Sequence, residues 1–412
     1  MESSRDSRET VYRILFFISL AHLLNDSIQS VIPAVFPILQ SELALSYFQL
    51  GVILLVMNVT ASCLQPLVGM MTDRRPMPFL PSVGLASSGL GMVGVALASD
   101  YGMVLLSVVL VGLGSAVFHP ESSRVAHMAA GQRRGLAQSI FQVGGNFGQA
   151  LAPLMTIVFF VRFGQTGALW FVLFSLAAVV VLFLVGLWYR KSVEDWQKKK
   201  SHRRAAGHQK GRLYALLLLI ALVTVRSWMH SGIQGFFPLY LINVRGMNFS
   251  EAQVYLFIFL LAGAMGTFFG GPLADRFGHR SVLLFSMLGA VPFTATIPFL
   301  QGWAVYAVVF FSGFIVLCSF SVTVVYAQEL MPGRIGLVSG LIFGLAFGMG
   351  GIGASLFGWV ADWRGLSFVI LVLAFLPLFG LLGFLLPKDR DVAEWNRDAA
   401  AGSAVGEVAA AK

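Results

Sequence analysis

Long apolar runs with almost no charge limit the folds that this chain can adopt. The run 103–117, for example, contains no charged side chain. About 20 consecutive apolar residues cross the hydrocarbon core of a bilayer as a helix. Inside lipid, only helices and closed barrels satisfy all of their backbone hydrogen bonds. Only 11% of the residues are charged, whereas about 25% are charged in a typical soluble domain. The sequence therefore predicts an all-α polytopic membrane protein.

Twelve apolar spans follow one another in two groups of six. We place them at 13–38, 46–72, 79–98, 102–129, 134–161, 167–189, 213–243, 250–275, 281–300, 303–329, 334–361 and 366–387. They predict an N-terminal six-helix bundle over 1–189, a cytoplasmic linker over 190–212, a C-terminal six-helix bundle over 213–388 and a cytoplasmic tail over 389–412. The tail is polar and Ala-rich, without a sustained apolar face, so we expect it to be disordered.

The basic residues that give the net charge of +9 are distributed as in a polytopic membrane protein. Of the 28 Lys and Arg residues, 24 lie in alternate loops and in the termini, and the opposite loops hold only Arg162, Arg245 and Arg364. Basic residues concentrate on the cytoplasmic side of polytopic proteins. We therefore expect a multi-pass protein of the inner (cytoplasmic) membrane, surrounded by lipid, with both termini in the cytoplasm and no nucleic-acid partner.

The two groups of spans are repeats of each other. Gly69 and Asp73 recur as Gly271 and Asp275, in each case 202 residues later. Two dipeptides recur at an offset of 201 residues, Phe36-Pro37 as Phe237-Pro238 and Gly135-Leu136 as Gly336-Leu337. Parallel repeats of six spans are typical of alternating-access carriers, which bind their ligand between the repeats near the membrane midplane.

The loop after the eighth span carries a family motif. Gly271 to Arg280 reads Gly-Pro-Leu-Ala-Asp-Arg-Phe-Gly-His-Arg, and the loop after the second span holds a partial copy with Pro76 in place of a glycine. Through this motif the chain resembles the major facilitator superfamily. The resemblance implies its twelve-helix fold, a transport function without enzymatic reaction or cofactor, and a charged latch that breaks when the carrier opens inward. The latch residues are Gly69, Asp73, Arg74, Gly271, Asp275, Arg276 and Arg280.

Within the superfamily, the chain resembles the fosmidomycin-resistance family of drug exporters. The resemblance rests on Phe118-His119-Pro120-Glu121, on the stretch 134–146, on His22 to Asp26 and on Arg226 to Tyr240. The fifth span also resembles the antiporter motif of the superfamily, through Gly144, Gly145, Asn146, Gly148 and Pro153. Small residues let helices approach closely. We expect this strip to pack against a similar one in the eighth span, formed by Gly263, Gly266, Gly270 and Gly271.

Ionisable side chains inside the spans are the candidate proton-coupling groups. His22, Asn25, Asp26 and Gln29 share one helix face of the first span, because they are three or four residues apart. An ionisable group at mid-membrane is a functional candidate by default, although Asp26 can also serve a structural hydrogen bond to a neighbouring helix. Glu121 follows Pro120, which can kink the span. We predict that Glu121 and Asp26 load and release protons, with His119 titrating near neutral pH.

Two alternatives for Glu121 stay open. Arg124, three residues away, can hold Glu121 in a static ion pair. His119 and Glu121 also resemble a fragment of a metal site, but no third ligand stands at a useful spacing in the sequence, so no metal is predicted.

The seventh span carries basic side chains in the second half of the chain. Arg226 aligns with Asn25 by the repeat offset, and His230 lies one turn further on. A guanidinium group binds a phosphonate or carboxylate through two hydrogen bonds. The predicted substrate-binding residues are Arg226, His230, Gln234, His22, Asn25, Gln29 and Arg124. The alternative for Arg226 is a structural ion pair with Asp26 or Glu121.

These features predict a proton-coupled antiporter that exports a small drug-like or anionic, phosphonate-like molecule. The sequence has no Gly-x-x-x-x-Gly-Lys-Ser/Thr loop, so the chain is not expected to bind ATP in that way. The nearer alternative is a proton symporter that imports a nutrient or organic acid. A membrane receptor or scaffold that does not transport is the alternative from another class.

Overall fold

The computed structural model describes residues 10–131, 134–198, 209–300, 302–331 and 335–398. Throughout these ranges the regular elements are helices, and no strand occurs in them. This confirms the predicted all-α class.

The first half of the chain contains seven α-helices. They are α1 (Tyr12–Ala34), α2 (Phe36–Leu43), α3 (Tyr47–Arg74), α4 (Leu80–Leu97), α5 (Tyr101–Ala129), α6 (Arg134–Phe163) and α7 (Trp170–Lys198), with a 3₁₀ helix at Gly164–Leu169. The second half contains α8 (Gln209–Asn243), α9 (Phe249–Phe277), α10 (His279–Leu288), α11 (Val291–Thr294), α12 (Ala304–Leu317), α13 (Phe320–Leu330), α14 (Ile335–Arg364) and α15 (Leu366–Phe375), followed by a 3₁₀ helix at Leu376–Leu385. A final short helix over 389–398, the tail helix, ends the described chain.

Ten stretches of the described helices are long and apolar enough to cross a membrane. One of them, Ile140–Ser192, contains both the fifth and the sixth predicted span, so these stretches cover eleven of the twelve predictions. The ninth prediction, 281–300, is not a continuous helix: α10 ends at Leu288, and only the short α11 and turns follow. Pro292 and Pro298 lie in this region, and each removes a backbone donor that a longer helix requires.

Prolines interrupt some spans and leave others intact. The first predicted span divides at Val35, where α1 ends and α2 begins with Pro37 in its first turn. Pro120, by contrast, lies inside α5, which continues to Ala129. The helix break that we expected beside Glu121 is therefore absent from α5. A membrane helix tolerates an internal proline because neighbouring groups can satisfy the freed carbonyl.

The two halves meet along α3 and α14. A Cβ atom built on Gly51 would lie only 2.4 Å from the Ala354 carbonyl oxygen, so these backbones approach as closely as a glycine permits. At one end, the Asp362 carboxylate of α14 accepts hydrogen bonds from the backbone N–H groups of Tyr47 (3.0 Å) and Phe48 (2.8 Å). Asn243 donates to the Tyr47 hydroxyl at 2.9 Å. We call this region, marked by Tyr47, Asn243 and Asp362, the closed end of the molecule.

The tail helix corrects the expectation of disorder for residues 389–398. Val392 is only 1% exposed, Trp395 lies under the Arg212 guanidinium at 5.8 Å, and Asn396 accepts a hydrogen bond from Arg212 at 2.9 Å. These contacts lie three or four residues apart and form one helix face. A face of two or three residues is too short to register as an apolar stripe in the sequence. Residues 399–412 lie outside the described ranges.

Candidate functional site

The Asp26 carboxylate lies between two imidazole rings. His22 is one turn earlier on α1, with its Nε2 atom 3.4 Å from Asp26 Oδ2. His119 comes from α5, and its Nε2 atom is 3.8 Å from Asp26 Oδ1. Asp26 is 3% exposed and His22 is 1% exposed. The structure thus brings together two predicted proton-coupling residues, Asp26 and His119, and one predicted substrate-binding residue, His22. We call these three residues the Asp26 cluster.

Amide groups complete the surroundings of the carboxylate. Asn25 donates to Asp26 Oδ1 at 2.9 Å, and Gln29 reaches the same oxygen only at 3.5 Å. Gln149 of α6 donates to Asp26 Oδ2 at 2.9 Å. Sequence reasoning did not assign a role to Gln149. The available signal was an amide side chain inside the apolar fifth span, next to Gly148.

The backbone fixes the ring protons of both histidines. His22 Nδ1 lies 2.8 Å from the Phe141 carbonyl oxygen, and His119 Nδ1 lies 3.2 Å from the Ser115 carbonyl oxygen. A carbonyl only accepts hydrogen bonds, so each Nδ1 atom carries a proton. In a neutral ring the Nε2 atom then carries a lone pair, which faces the carboxylate. One additional proton between an imidazole and Asp26 would convert this contact into a hydrogen bond, so the arrangement has a place for a bound proton.

The Asp26 cluster contacts the second half of the chain through an aromatic ring. The His22 ring stacks on Phe141 with a centroid distance of 4.1 Å. The His119 ring meets Phe347 of α14 edge to face at 5.8 Å. His119 therefore lies in contact with a helix of the opposite half.

Glu121 belongs to a different set of contacts. It is 0% exposed, and Arg124 Nη1 donates to its Oε1 atom at 2.7 Å. Arg124 also donates to the Thr72 carbonyl oxygen at 2.7 Å and lies 3.4 Å from the Tyr189 hydroxyl. The ion pair that we left open as an alternative is thus present. His119 and Glu121 face different neighbours, because residues two apart do not share a helix face.

Arg226 is buried inside the second half. It is 4% exposed, and its Nη1 atom donates to Ser319 Oγ at 3.2 Å and to Thr323 Oγ1 at 2.9 Å. The guanidinium lies over the Phe320 ring at 5.1 Å. The alternative ion pairs with Asp26 or Glu121 are not formed, and no carboxylate of the described residues pairs with Arg226.

The two other candidates on α8 make few polar contacts. His230 lies beside the Phe259 ring at a centroid distance of 6.4 Å, and its buried Nδ1 atom has no hydrogen-bond partner. Gln234, one further turn along, is half-buried. The face of α8 that holds Arg226, His230 and Gln234 therefore carries polar groups with unused hydrogen-bonding capacity.

The small residues of the fifth span pack against the first span. A Cβ atom on Gly144 would lie 2.2 Å from the Ser19 carbonyl oxygen, and one on Gly148 would lie 2.2 Å from the Leu23 carbonyl oxygen. The strip in the eighth span meets the tenth span instead, with Gly266 against Phe314. The fifth and eighth spans nevertheless pack against each other as expected, because α6 contacts α9. Only the glycines differ from the expectation, since Gly144, Gly148 and Gly266 lie against helices of their own half. Asn146 is half-buried, and Pro153 lies inside α6.

The model of the family described as Major Facilitator Superfamily matches residues 15–354 and 249–408. The chain belongs to the major facilitator superfamily. It is 48% identical over 391 residues to the uncharacterized MFS-type transporter YfnC of Bacillus subtilis, covering 94% of this chain and 96% of the relative. It is 44% identical over 400 residues to the fosmidomycin resistance protein of Escherichia coli, with coverage of 94% and 96%. These relatives confirm the resemblance to the fosmidomycin-resistance family.

The fold is shared with solved transporters. A bacterial homolog of the human lysosomal transporter Spinster, in an inward-facing and occupied conformation, superimposes with a TM-score of 0.72 at 17% identity, covering 91% of this chain and 96% of that chain. This likeness concerns the fold alone. The chain is thus a multi-pass membrane transporter of a small molecule, in a family whose members are transporters rather than enzymes.

The charged side chains of the predicted latch are described only in its second copy. The side chains of Asp73 and Arg74 lie outside the described set. A Cβ atom built on Gly69 would lie 3.9 Å from the Pro120 side chain, and one built on Gly271 would meet no atom of another segment within 4 Å. Asp275 and Arg276 are exposed, and Arg276 lies over the Phe277 ring at 5.2 Å.

The second loop is held by a carboxylate from outside the motif. Asp389, at the start of the tail helix, accepts hydrogen bonds from the His279 backbone (2.7 Å) and ring (2.8 Å) and from the Arg280 backbone (3.3 Å). Arg280 donates to the Gly383 and Phe384 carbonyl oxygens. The loop is thus fastened to the end of the twelfth span and to the tail helix.

The contact shifts the titration of both partners, which lie outside the spans. The hydrogen bond to Asp389 raises the pKa of His279, although partial burial opposes this shift. Burial alone would raise the pKa of Asp389, but hydrogen bonds from the His279 ring and from the two backbone N–H groups lower it. Both shifts favour the charged pair.

Among the described residues, two groups of three side chains have the chemistry to hold a metal ion. They are the Asp26 cluster and the set His279, Glu329 and Asp389, each with its donor atoms within 4.8 Å of one another. The sequence argument found no third ligand near His119, because His22 and Asp26 lie about a hundred residues away along the chain. In both groups each histidine already faces a carboxylate. These contacts do not test the predicted absence of a metal, which stays a prediction.

Proposed function

We propose that this transporter is a proton-coupled antiporter that exports a small anionic, phosphonate-like molecule from the cytoplasm. It would lie in the inner membrane with both termini in the cytoplasm, as the distribution of basic residues suggests. The Asp26 cluster carries the proposal: a buried carboxylate faces two Nε2 atoms whose rings have their Nδ1 protons committed to carbonyl groups.

Proton binding would change the balance between the two facing states. A proton on the cluster removes one negative charge from the first half and reorients His119 against Phe347 of the second half. A ligand shifts a conformational equilibrium only when it binds the two states unequally. Access of the cluster to the outside in one state and to the cytoplasm in the other supplies that difference. A membrane potential of about 100 mV adds about 2.3 kcal/mol for each proton that enters.

The proposed substrate class follows from the opposite half. Arg226 places a positive charge near mid-membrane that no described carboxylate neutralises. An anionic substrate gains most from such a charge in a low-dielectric setting. The similar Escherichia coli protein is named for resistance to fosmidomycin, which supports export of a phosphonate. Arg226, His230 and Gln234 would attract the anionic group, and His22, Asn25 and Gln29 would sense it from the first half.

Transport by reconstituted vesicles tests the proposal. With an imposed pH gradient, the wild-type protein should move fosmidomycin in one direction while protons move in the other. Asp26→Asn removes the proton-binding carboxylate and should abolish uphill movement driven by the gradient. Asp398→Asn, at the exposed end of the tail helix, is the matched control and should transport normally.

Three outcomes oppose the proposal. Movement of protons in the same direction as the substrate would establish the symport alternative. Full gradient-driven transport by Asp26→Asn would remove the Asp26 cluster from the coupling step. If instead Glu121→Gln alone abolished coupling while the protein stayed folded, Glu121 would be the coupling acid.

A further inference from the structure

The guanidinium of Arg226 is a buried charge without a counter-charge. Its described neighbours are two hydroxyl groups, on Ser319 and Thr323, and the face of the Phe320 ring. Neutral hydroxyl groups and a ring face compensate a buried cation only in part, and buried charges in proteins are normally paired. The described part of the chain therefore lacks an anion at this position.

A small cavity lies beside this charge. It has a volume of about 10 Å³ and is lined by both polar and apolar side chains. The polar lining consists of Arg226, Ser286, Ser319 and Thr323. A cavity of roughly 10–15 Å³ on this measure holds one water-sized particle. A phosphonate group does not fit without movement of the surrounding helices, whereas a chloride ion, which is only slightly larger than a water molecule, needs a smaller movement.

The hydroxyl groups leave one donor available for that ion. Thr323 Oγ1 donates its proton to the Ser319 carbonyl oxygen at 2.6 Å, and Ser286 Oγ donates to the Leu283 carbonyl oxygen at 2.8 Å. Ser319 Oγ accepts from Arg226, and among the described residues its own proton has no acceptor. Arg226 and Ser319 thus offer a charged and a neutral donor to the same space.

We propose that this cavity binds one halide ion, chloride under physiological conditions, as the counter-ion of Arg226. The inference deepens the proposed function and rests on it in one respect: the anionic group of the substrate is the other anion that Arg226 would attract. The volume of the cavity favours the halide. A bound halide would compensate the charge of Arg226 while no substrate is present.

Thermal unfolding of the purified full-length protein tests the site. Sodium chloride or sodium bromide replaces sodium gluconate at constant ionic strength, and the melting temperature is followed. A ligand that binds only the folded protein raises the melting temperature in a saturable way. We expect this rise with both halides. Arg226→Gln should lose it, and Ser319→Ala should shift it to higher halide concentration.

Arg162→Gln is the control for a general loss of positive charge. Arg162 lies in the last turn of α6, is exposed, and stacks on Phe163 at 5.6 Å. No residue of α6 lines the cavity. This variant should retain the full response to halide. Bromide-soaked crystals give a direct readout that does not depend on any variant: an anomalous peak is expected beside Ser319 and the Arg226 guanidinium.

Four results would overturn the halide assignment. They are equal melting temperatures in chloride and gluconate, an unchanged halide response in Arg226→Gln, no bromide peak at the cavity, and stabilisation by methylphosphonate but not by halide. The last result would assign the pocket to the anionic group of the substrate. If Arg226→Gln does not fold, Ser319→Ala and the bromide crystals decide. Absence of proton-coupled flux with an intact halide response would instead refute the proposed function and leave this site standing.

Discussion

At the scale of single residues, the chemistry of Asp26 is set by side chains from three helices. His22 and Asn25 belong to its own helix, His119 to α5 and Gln149 to α6. Each contributes one polar atom to the same carboxylate. The site therefore depends on side-chain positions to within a few tenths of an ångström, and small steric changes around it should be felt in transport.

Gly145→Ala should damage the Asp26 cluster from a position that carries no functional group. The new methyl group would lie 2.4 Å from His22 Nε2, so the imidazole must move away from Asp26. Overpacking of this kind costs about 1–3 kcal/mol. We expect a lower melting temperature and reduced proton-driven flux in vesicles. Gly102→Ala, in the exposed first turn of α5, is the control; equal flux in the two variants would contradict the proposed geometry.

The Glu121–Arg124 pair can be separated from proton coupling by a double-mutant cycle. Glu121→Gln leaves a buried guanidinium with reduced compensation, and loss of one partner of a buried pair costs about 3–5 kcal/mol. We expect Glu121→Gln and Arg124→Met each to destabilise the protein strongly, and the double variant to recover part of that loss. Thermal unfolding measures all three. Additive destabilisation would show that the two side chains act independently.

At the scale of helices, the closed end depends on the contact between α3 and α14. Asp362 accepts hydrogen bonds from the first two backbone N–H groups of α3. Carboxylates are favourable at helix N-termini, because these N–H groups have no partner within the helix and the helix dipole is positive there. A side chain of the second half thereby caps a helix of the first half.

Asp362→Ala should favour opening at the closed end. Spin labels at Ser41 and Val244, which are exposed on opposite halves, report the separation there. We expect pulsed electron spin resonance to show a larger population at long distance in the variant. Asp100→Ala is the matched control, because the Asp100 carboxylate accepts a hydrogen bond from the backbone N–H of Met103, in the first turn of its own helix α5. An unchanged distance distribution in Asp362→Ala would rule out a gating role for this cap.

The tail helix should dock in a pH-dependent way. Because the pKa of His279 is raised in the folded state, its stabilising contribution is fully present below the ordinary value of about 6.5 and is lost as the pH rises through the raised value. Asp389 has a lowered pKa, so its contribution is present above the ordinary value of about 3.9 and is lost only in stronger acid. Docking should therefore be firmest from mildly acidic to neutral pH.

Hydrogen exchange of residues 389–398, corrected for the intrinsic pH dependence, measures this docking. Exchange should accelerate as the pH rises above neutral, and His279→Gln should exchange fast throughout, without that pH step. Peptides from α7 provide the internal reference. Equal protection of the tail helix at pH values below and well above the His279 transition would contradict the expected linkage.

At the scale of the whole molecule, the proposed export makes a prediction for living cells. Expression in a fosmidomycin-sensitive bacterium should lower the accumulated drug and raise tolerance several-fold. A protonophore that collapses the proton gradient should restore accumulation, because the gradient supplies the driving force. Asp26→Asn should behave like the empty vector, and Asp398→Asn like the wild type. Increased accumulation in expressing cells would indicate import.

Much of the architecture follows from the sequence because its causes are local. Apolar runs, loop charges and the repeat offset are each properties of adjacent residues, and they predicted the all-α membrane fold and the family. The two failures have different causes, one local and one not. The region 281–300 is apolar enough to span, but its two prolines divide it. The tail helix was missed because Val392 and Trp395 gain their apolar contacts only from other segments.

The candidate site, too, could be predicted from the sequence only in part. Spacing along one helix placed His22, Asn25 and Asp26 on one face, and the structure shows them around one carboxylate. No pattern in the sequence indicates that His119 and Gln149 join them. The three-residue spacing of Glu121 and Arg124 offered their ion pair only as an alternative, and the structure forms it. The sequence by itself determined which segments enter the membrane, because that depends on the summed hydropathy of each segment. Only the tertiary structure decided which buried polar groups meet, because hydrogen bonds require atoms from distant segments to lie within about 3 Å of one another.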